Sequence, residues 1–348
     1  MESWPLWLLA LGFAGAAAVV WVAGIQLSKT TPVLDSRFHL GSALGGLIVL
    51  AIATNLPEIA ITVSAALNGN LDVAVGNILG GIALQTVVLV VLDAIGKRDK
   101  GARPLTYRAA SLVLVLEAVV VVAVLVVVVA GTQLPSDLIL FGIAPGGLLI
   151  AVLWIVGLLL VRRASKSLPW HESGSAPDTE PASSTRAQTG KAMSAGRAGL
   201  VFAISAIATL GAGVMLERIG DAAASQIGLS GVLFGATVLA LATSLPEIST
   251  GLQAMRQRNE NLAMSDIFGG NAFLPVLFLV ASVISGTAIL PRANASDIYL
   301  TAIAALLTLV YVVGLVFRPA KRILGMGIDS LIVLVFYLVG VAGLFAIA

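Results

Sequence analysis

"ATNLPEIAIT", residues 53–62, places Pro57 and Glu58 side by side within an otherwise apolar run. A membrane-length helix should hold neither a carboxylate nor a helix breaker at such depth. "ALATSLPEIST", residues 240–250, repeats the pair at Pro246 and Glu247, 189 residues further on. The surrounding chain makes this pairing decisive. Of its 348 residues 58% are hydrophobic and 11% charged, with a mean hydropathy of +1.03. Soluble domains carry about 25% charged residues, so the chain reads as an all-α polytopic membrane protein embedded in a lipid bilayer.

Ten stretches reach the about 20 mostly apolar residues that a spanning helix needs. They lie at roughly 5–27, 41–67, 71–95, 107–131, 138–161, 198–216, 229–255, 261–287, 297–317 and 326–347. The N-terminal "MESWPLWLLA" lacks a basic region and a small-residue cleavage site, so the first run is expected to stay as a helix. With loops 1–2, 3–4, 5–6, 7–8 and 9–10 on one side, every Lys and Arg except Arg218 and Arg292 gathers there. That side is expected to be cytoplasmic, with both termini outside, in a prokaryotic plasma (inner) membrane. The net charge of +2 follows this topology and points to no nucleic acid partner.

Residues 162–197, rich in Ser, Pro, Ala and Gly, read as a flexible cytoplasmic linker between two five-helix halves, 1–161 and 198–348. Trp170 and His171 within it read as solvated rather than as a contact site. There is no cysteine, which excludes thiolate metal sites and cysteine nucleophiles; the two histidines, His39 and His171, fall in expected loops. No nucleophile–base pair is evident, so an enzyme is not expected.

The 189-residue offset holds without gaps. It pairs Thr54 with Thr243, Leu56 with Leu245, Asn77 with Asp266, Gly80 with Gly269, and Gly81 with Gly270. Because each half has five spans, the second copy must enter the membrane from the opposite side. That is an inverted-topology repeat, a feature of many secondary transporters.

Each copy pairs a buried carboxylate with a proline that loosens the backbone. Pro57 frees the carbonyl of Ala53, and Pro246 that of Ala242. Facing a cavity, such carbonyls become oxygen ligands. With Glu58, Glu247 and Asp266 the donor set is all oxygen, which suits Ca²⁺, Na⁺ or H⁺ and suits Zn²⁺ poorly. A single proline is commonly only a kink; two Pro-Glu copies in inverted register favour function. The paired glycines read more simply as close helix packing. Spans 1 and 6 carry few deep polar groups. Glu117, deep in span 4, has Leu306 as its counterpart and stays outside the site.

Residues 41–86 and 230–275 resemble the two α-repeats of the sodium/calcium exchanger family, within the cation/calcium antiporter superfamily. The resemblance implies two inverted five-helix halves, with cation sites between helices 2, 3, 7 and 8 and helices 1 and 6 sliding to alternate access. It implies main ligands at Glu58 and Glu247, aided by Thr54, Thr243 and Ser244, with Asn77 and Asp266 as the polar pair of helices 3 and 8. The linker is too short for a large calcium-sensing domain. The family's Gly-Thr-Ser-Leu-Pro-Glu reads Ala-Thr-Asn-Leu-Pro-Glu here, so Asn55 takes a serine position; Val73 and Leu262 stand where hydroxyls are frequent. Gly-Gly-Ile at 80–82 likewise replaces Gly-Ser-Asn. These losses remove Na⁺ ligands and spare the carboxylates.

The function expected is exchange of Ca²⁺ for Na⁺ by alternating access, without a cofactor. H⁺-coupled Ca²⁺ or other divalent exchange is the alternative, and a cation channel or a membrane scaffold are readings of other classes. The oligomeric state is left open; a monomer would suffice.

Overall fold

The computed structural model describes residues 4–38, 50–95, 103–109, 111–139, 143–166, 168–169 and 193–347. In chain order the helices are α1 (Leu6–Phe38), α2 (Leu56–Asn68), α3 (Leu71–Ile95), α4 (Leu112–Gly131), α5 (Pro145–Ala164), α6 (Ala195–Ile227), α7 (Gly231–Arg256), α8 (Glu260–Ser285), α9 (Ala295–Phe317) and α10 (Ile328–Ile347). Among the described residues, nine are long and apolar enough to cross a membrane; α2, with 13 residues, is shorter. Residues 50–54 ahead of α2 are helical too. Residues 41–49 of the second expected span lie outside the described residues. So do His39, Trp170, His171 and most of the expected linker.

Local chemistry explains the boundaries. Pro57 and Pro246 each sit in the first turn after a break at Asn55 and Ser244, where the missing N–H is an orphan anyway. α3 follows α2 through Gly69, whose φ of 79° is a left-handed cap. Ser111 caps α4, and Asn294 with Asp297 closes a capping box on α9. Pro275 gives α8 a 3₁₀ turn at Leu274–Val276, and α7 carries a π turn at Gly235–Leu239. A short hairpin pairs β1 (Arg322–Ile323) with β2 (Met326–Gly327) before α10.

Two helices run past their expected ends. α1 continues to Phe38, so Lys29 and Arg37 belong to a helix rather than a loop. α6 continues to Ile227 and takes in Glu217, Arg218 and Asp221. The reason lies in Glu217, which is fully buried and accepts from Ser64 Oγ at 2.8 Å and Asn70 Nδ2 at 3.2 Å. Tied to α2 and its hairpin, the carboxylate can stay inside the packed helix. Span 6 therefore has a deep polar group that was not expected. At its other end α6 already begins at Ala195, within the stretch expected as linker.

α1 lies along α6, and the pair packs on α2 and α7. The largest apolar core joins α3, α4, α8 and α9, with Phe268, Phe278 and Tyr311 fully buried. Gly80 packs against Ala236, as expected of a close approach. Two further glycines seat the outer pair. A Cβ on Gly24 of α1 would meet Pro246 Cβ at 2.8 Å, and one on Gly213 of α6 would meet the Pro57 carbonyl oxygen at 2.9 Å.

Candidate functional site

Both motif carboxylates stand in the first turn of a helix, directly after the proline. Unpaired N–H groups and the positive end of the helix dipole favour a carboxylate there. Glu58 is 0% exposed and Glu247 1%. Gln85 of α3 joins them. Its Nε2 donates to Glu58 Oε1 at 3.3 Å and Asn55 Oδ1 at 3.2 Å, and reaches Glu247 Oε1 at 3.5 Å. One amide thus touches carboxylates that are 189 residues apart in the chain.

The threonines cross between copies. Thr243 lies beside Glu58, and Thr54 beside Glu247. Behind them, side chains hold the backbone at each break. Asn55 Nδ2 donates to the Ala51 carbonyl at 2.6 Å, and Ser244 Oγ to that of Ala240 at 2.8 Å. Asp266 of α8 accepts from Thr250 Oγ1 at 2.6 Å and lies near enough to Glu247 for the two charges to repel.

Several buried polar atoms here have no hydrogen-bond partner among the described residues. They are Glu58 Oε2, Glu247 Oε2, Asp266 Oδ1, Gln85 Oε1 and both side-chain polar atoms of Asn77. Buried polar groups almost always find partners. Carboxylate and amide oxygens left over in one buried region are the donor type that hard cations take.

Of the residues singled out in the sequence, Thr54, Asn55, Glu58, Thr243 and Glu247 meet around Gln85. Asp266 flanks them. Ser244 is buried at the break, its hydroxyl spent on its own backbone. Asn77 is fully buried but is joined to the carboxylates by no hydrogen bond among the described residues. Nor do three acidic or histidine side chains among those residues converge on one metal position. What the geometry does join, through one amide, is the pair Glu58 and Glu247.

Gln85 and Thr250 were not foreseen. A lone amide in the apolar run "GGIALQTVVLV" was the available signal for the first. Gly270 also takes part, beyond simple helix packing. A Cβ there would come within 2.7 Å of Asn55 Nδ2, so its hydrogen leaves room for the amide.

The family model described as sodium/calcium exchanger protein matches residues 8–173 and 197–346. The inner membrane protein YrbG of Escherichia coli (strain K12) is 28% identical over 274 residues, 78% of this chain and 77% of that one. The putative antiporter CaxA of Alkalimonas amylolytica is 26% identical over 293 residues, 84% of this chain and 85% of its own. Among solved structures, the sodium–calcium exchanger NCX_Mj superposes with a TM-score of 0.60 at 16% identity, covering 97% of this chain and 99% of that one. The H⁺/Ca²⁺ exchanger CAX gives 0.63 at 12% identity, covering 97% and 88%. At these identities the solved structures establish a shared fold.

Proposed function

The chain belongs to the sodium/calcium exchanger family, and on that footing we propose that it is a secondary active antiporter exchanging Ca²⁺ for Na⁺ by alternating access. The observation that carries this is the Gln85 amide between Glu58 and Glu247, with an unpartnered oxygen on each carboxylate. Two carboxylates balance one Ca²⁺, two Na⁺ or two H⁺, so one site accepts either load in turn. Asp266 adds a third charge beside it. Thr54, Thr243, Ser244, Asn55 and Asn77 supply neutral oxygens. CaxA, described as a putative antiporter, supports the same class.

In this reading α2, with the helical residues 50–54 ahead of it, belongs to the tenth span, and the two halves run in opposite directions. The linker is cytoplasmic and both termini lie outside. α1 and α6 slide over the core, with Gly24 and Gly213 as the contacts that ride on the prolines. H⁺ is the second reading for the driving ion. It is favoured by Asn55, Val73, Gly81 and Leu262 in place of hydroxyls and by a neutral amide as the donor that both carboxylates share.

Uptake of radiolabelled Ca²⁺ into proteoliposomes under an imposed Na⁺ or pH gradient tests both readings. Uptake driven by outward Na⁺ at constant pH is expected, and loss of it in Glu58→Gln and in Glu247→Gln. Uptake that follows pH alone replaces Na⁺ by H⁺. Uptake indifferent to both substitutions removes the site.

A further inference from the structure

One buried carboxyl has no part in the exchange site. Glu117 of α4 is 8% exposed, and its Oε1 accepts from Ser265 Oγ of α8 at 2.9 Å. Its Oε2 is buried with no partner among the described residues. Glu117 and Ser265 line a cavity of about 50 Å³ between α4, α5, α8 and residues 51–52, walled otherwise by apolar groups such as Val120, Trp154, Val161 and Phe268. A water molecule fits in that volume.

We propose that Glu117 is a proton-binding site whose occupancy opposes that of the cation site. The proposal rests on reading Glu58 and Glu247 as that site. An ionised carboxylate held by one hydroxyl against apolar walls is costly, and a proton on Oε2 removes the charge. Among the described residues no basic side chain is placed to do so instead. On α8, Glu260 is paired with Arg108. Arg162 and Arg163 of α5 follow the cavity-lining Val161 but are themselves exposed. Asp297 of α9 lies with Val128 at the opposite end of α4, and Arg292 shares a short turn with Leu290, which packs on Gly131 there. On α9, Tyr299 packs on Gly343, and Tyr311 lies beside Ser330.

The remaining charged neighbour, Asp266, provides the coupling. Ser265 and Asp266 are consecutive on α8, one bonded to Glu117 and the other to Thr250 in the exchange site. Successive helix residues point about 100° apart, so the two carboxyls lie off neighbouring faces of α8, a separation on the order of one helix diameter, about 10 Å. Each added positive charge at that distance, at an effective dielectric of about 20, shifts a proton equilibrium roughly tenfold, so the two charges of Ca²⁺ shift it at least that much. Cation arrival expels the Glu117 proton, and by reciprocity the proton weakens cation binding by the same factor. The exposed arginines beside the cavity mark the nearer water surface for proton exchange.

The test is proton release by the purified full chain in weakly buffered detergent solution as Ca²⁺ is added, with Ca²⁺ binding followed by calorimetry. Glu117→Gln keeps the acceptor for Ser265. It is expected to bind Ca²⁺, to release fewer protons, and to lose roughly a tenfold part of the pH dependence of its affinity. Ca²⁺ binding with unchanged proton release overturns the proposal. Unchanged Ca²⁺ binding in Glu58→Gln overturns the cation-site reading and the coupling with it. Should Glu117→Gln fail to fold, infrared difference spectra of the wild type decide. Ca²⁺ must remove a protonated-carboxyl band that Ser265→Ala displaces; a band indifferent to Ser265→Ala, or none, also overturns it.

Discussion

The two motif copies share a skeleton and differ in what surrounds it. Each has threonine, proline and glutamate at the same register, and each has a glycine from a flanking helix seated on the other copy's proline. Gly24 and Gly213 are themselves 189 residues apart. Around this frame the first copy carries amides, Asn55, Asn77 and Gln85, where the second carries Ser244, Asp266 and Leu274. What repeats is the machinery that breaks a helix and aims a carboxylate. What diverges is the donor chemistry, and the Gln85 amide of one copy reaches the Glu247 carboxylate of the other. The copies are thus complementary parts of one site.

Removing a shared element should hurt most and equally from either side. Glu58→Gln and Glu247→Gln each take away half the charge of a buried centre, a loss of about 3–5 kcal/mol for an uncompensated buried pair. Ca²⁺ uptake in proteoliposomes should fall at least about 100-fold in both. If one substitution is tolerated, the copies are not equivalent partners. The glycine seats come next. Gly213→Ala pushes a methyl into Pro57 and Ala60, and Gly24→Ala one into Pro246. Overpacking costs about 1–3 kcal/mol, so the melting temperature should drop. Uptake should fall about tenfold while Ca²⁺ binding changes about twofold or less. Equal loss of binding and uptake would mean that the seats hold the site together rather than govern motion.

The shared frame was legible in the sequence because breaking a membrane helix needs proline, and a deep carboxylate stands out among apolar residues. That is why Thr54, Glu58, Thr243 and Glu247 could be named, and why the helical membrane fold could be drawn around them. The divergent part was harder. Gln85 has an apolar counterpart in Leu274 and carries no charge, so neither repetition nor charge drew attention to it. Glu217 and Arg218 at the end of an apolar run looked like a loop; only the facing Ser64 and Asn70, from another helix and its turn, make burial of that carboxylate tolerable. Gly24 and Gly213 obeyed the offset in plain sight, but glycine is common in membrane helices, and its meaning needs the opposing proline.

Changing what differs between the copies should have smaller effects. Gln85→Leu copies the second repeat into the first. It removes the donor that Glu58 and Glu247 share and a neutral oxygen near them. A hydrogen bond to a charged group is worth about 1.5–3 kcal/mol. Spread over three acceptors and offset by easier entry of the ion, the loss should weaken Ca²⁺ binding about tenfold by calorimetry. Tighter binding would show instead that the amide competes with the ion for the carboxylates.

Asn55→Ser is the mildest change and the most informative about the driving ion. A serine there can bond the Ala51 carbonyl as Ser244 bonds that of Ala240, so the break before Pro57 should survive. The side chain also withdraws an acceptor from Gln85 and leaves space beside Gly270, together a cost of about 1 kcal/mol or less. Ca²⁺ uptake should therefore change less than about threefold. The substitution exchanges an amide oxygen already engaged by Gln85 for a hydroxyl oxygen like that of Ser244, whose lone pairs stay open while its proton goes to the backbone, and Na⁺ coordination gains from it more than Ca²⁺, whose affinity rests on the carboxylates. Na⁺-driven uptake should rise relative to pH-driven uptake in matched vesicles. If that ratio does not move, the asymmetry between Asn55 and Ser244 concerns backbone support alone, and the choice of driving ion lies with the amide and carboxylates of α3 and α8.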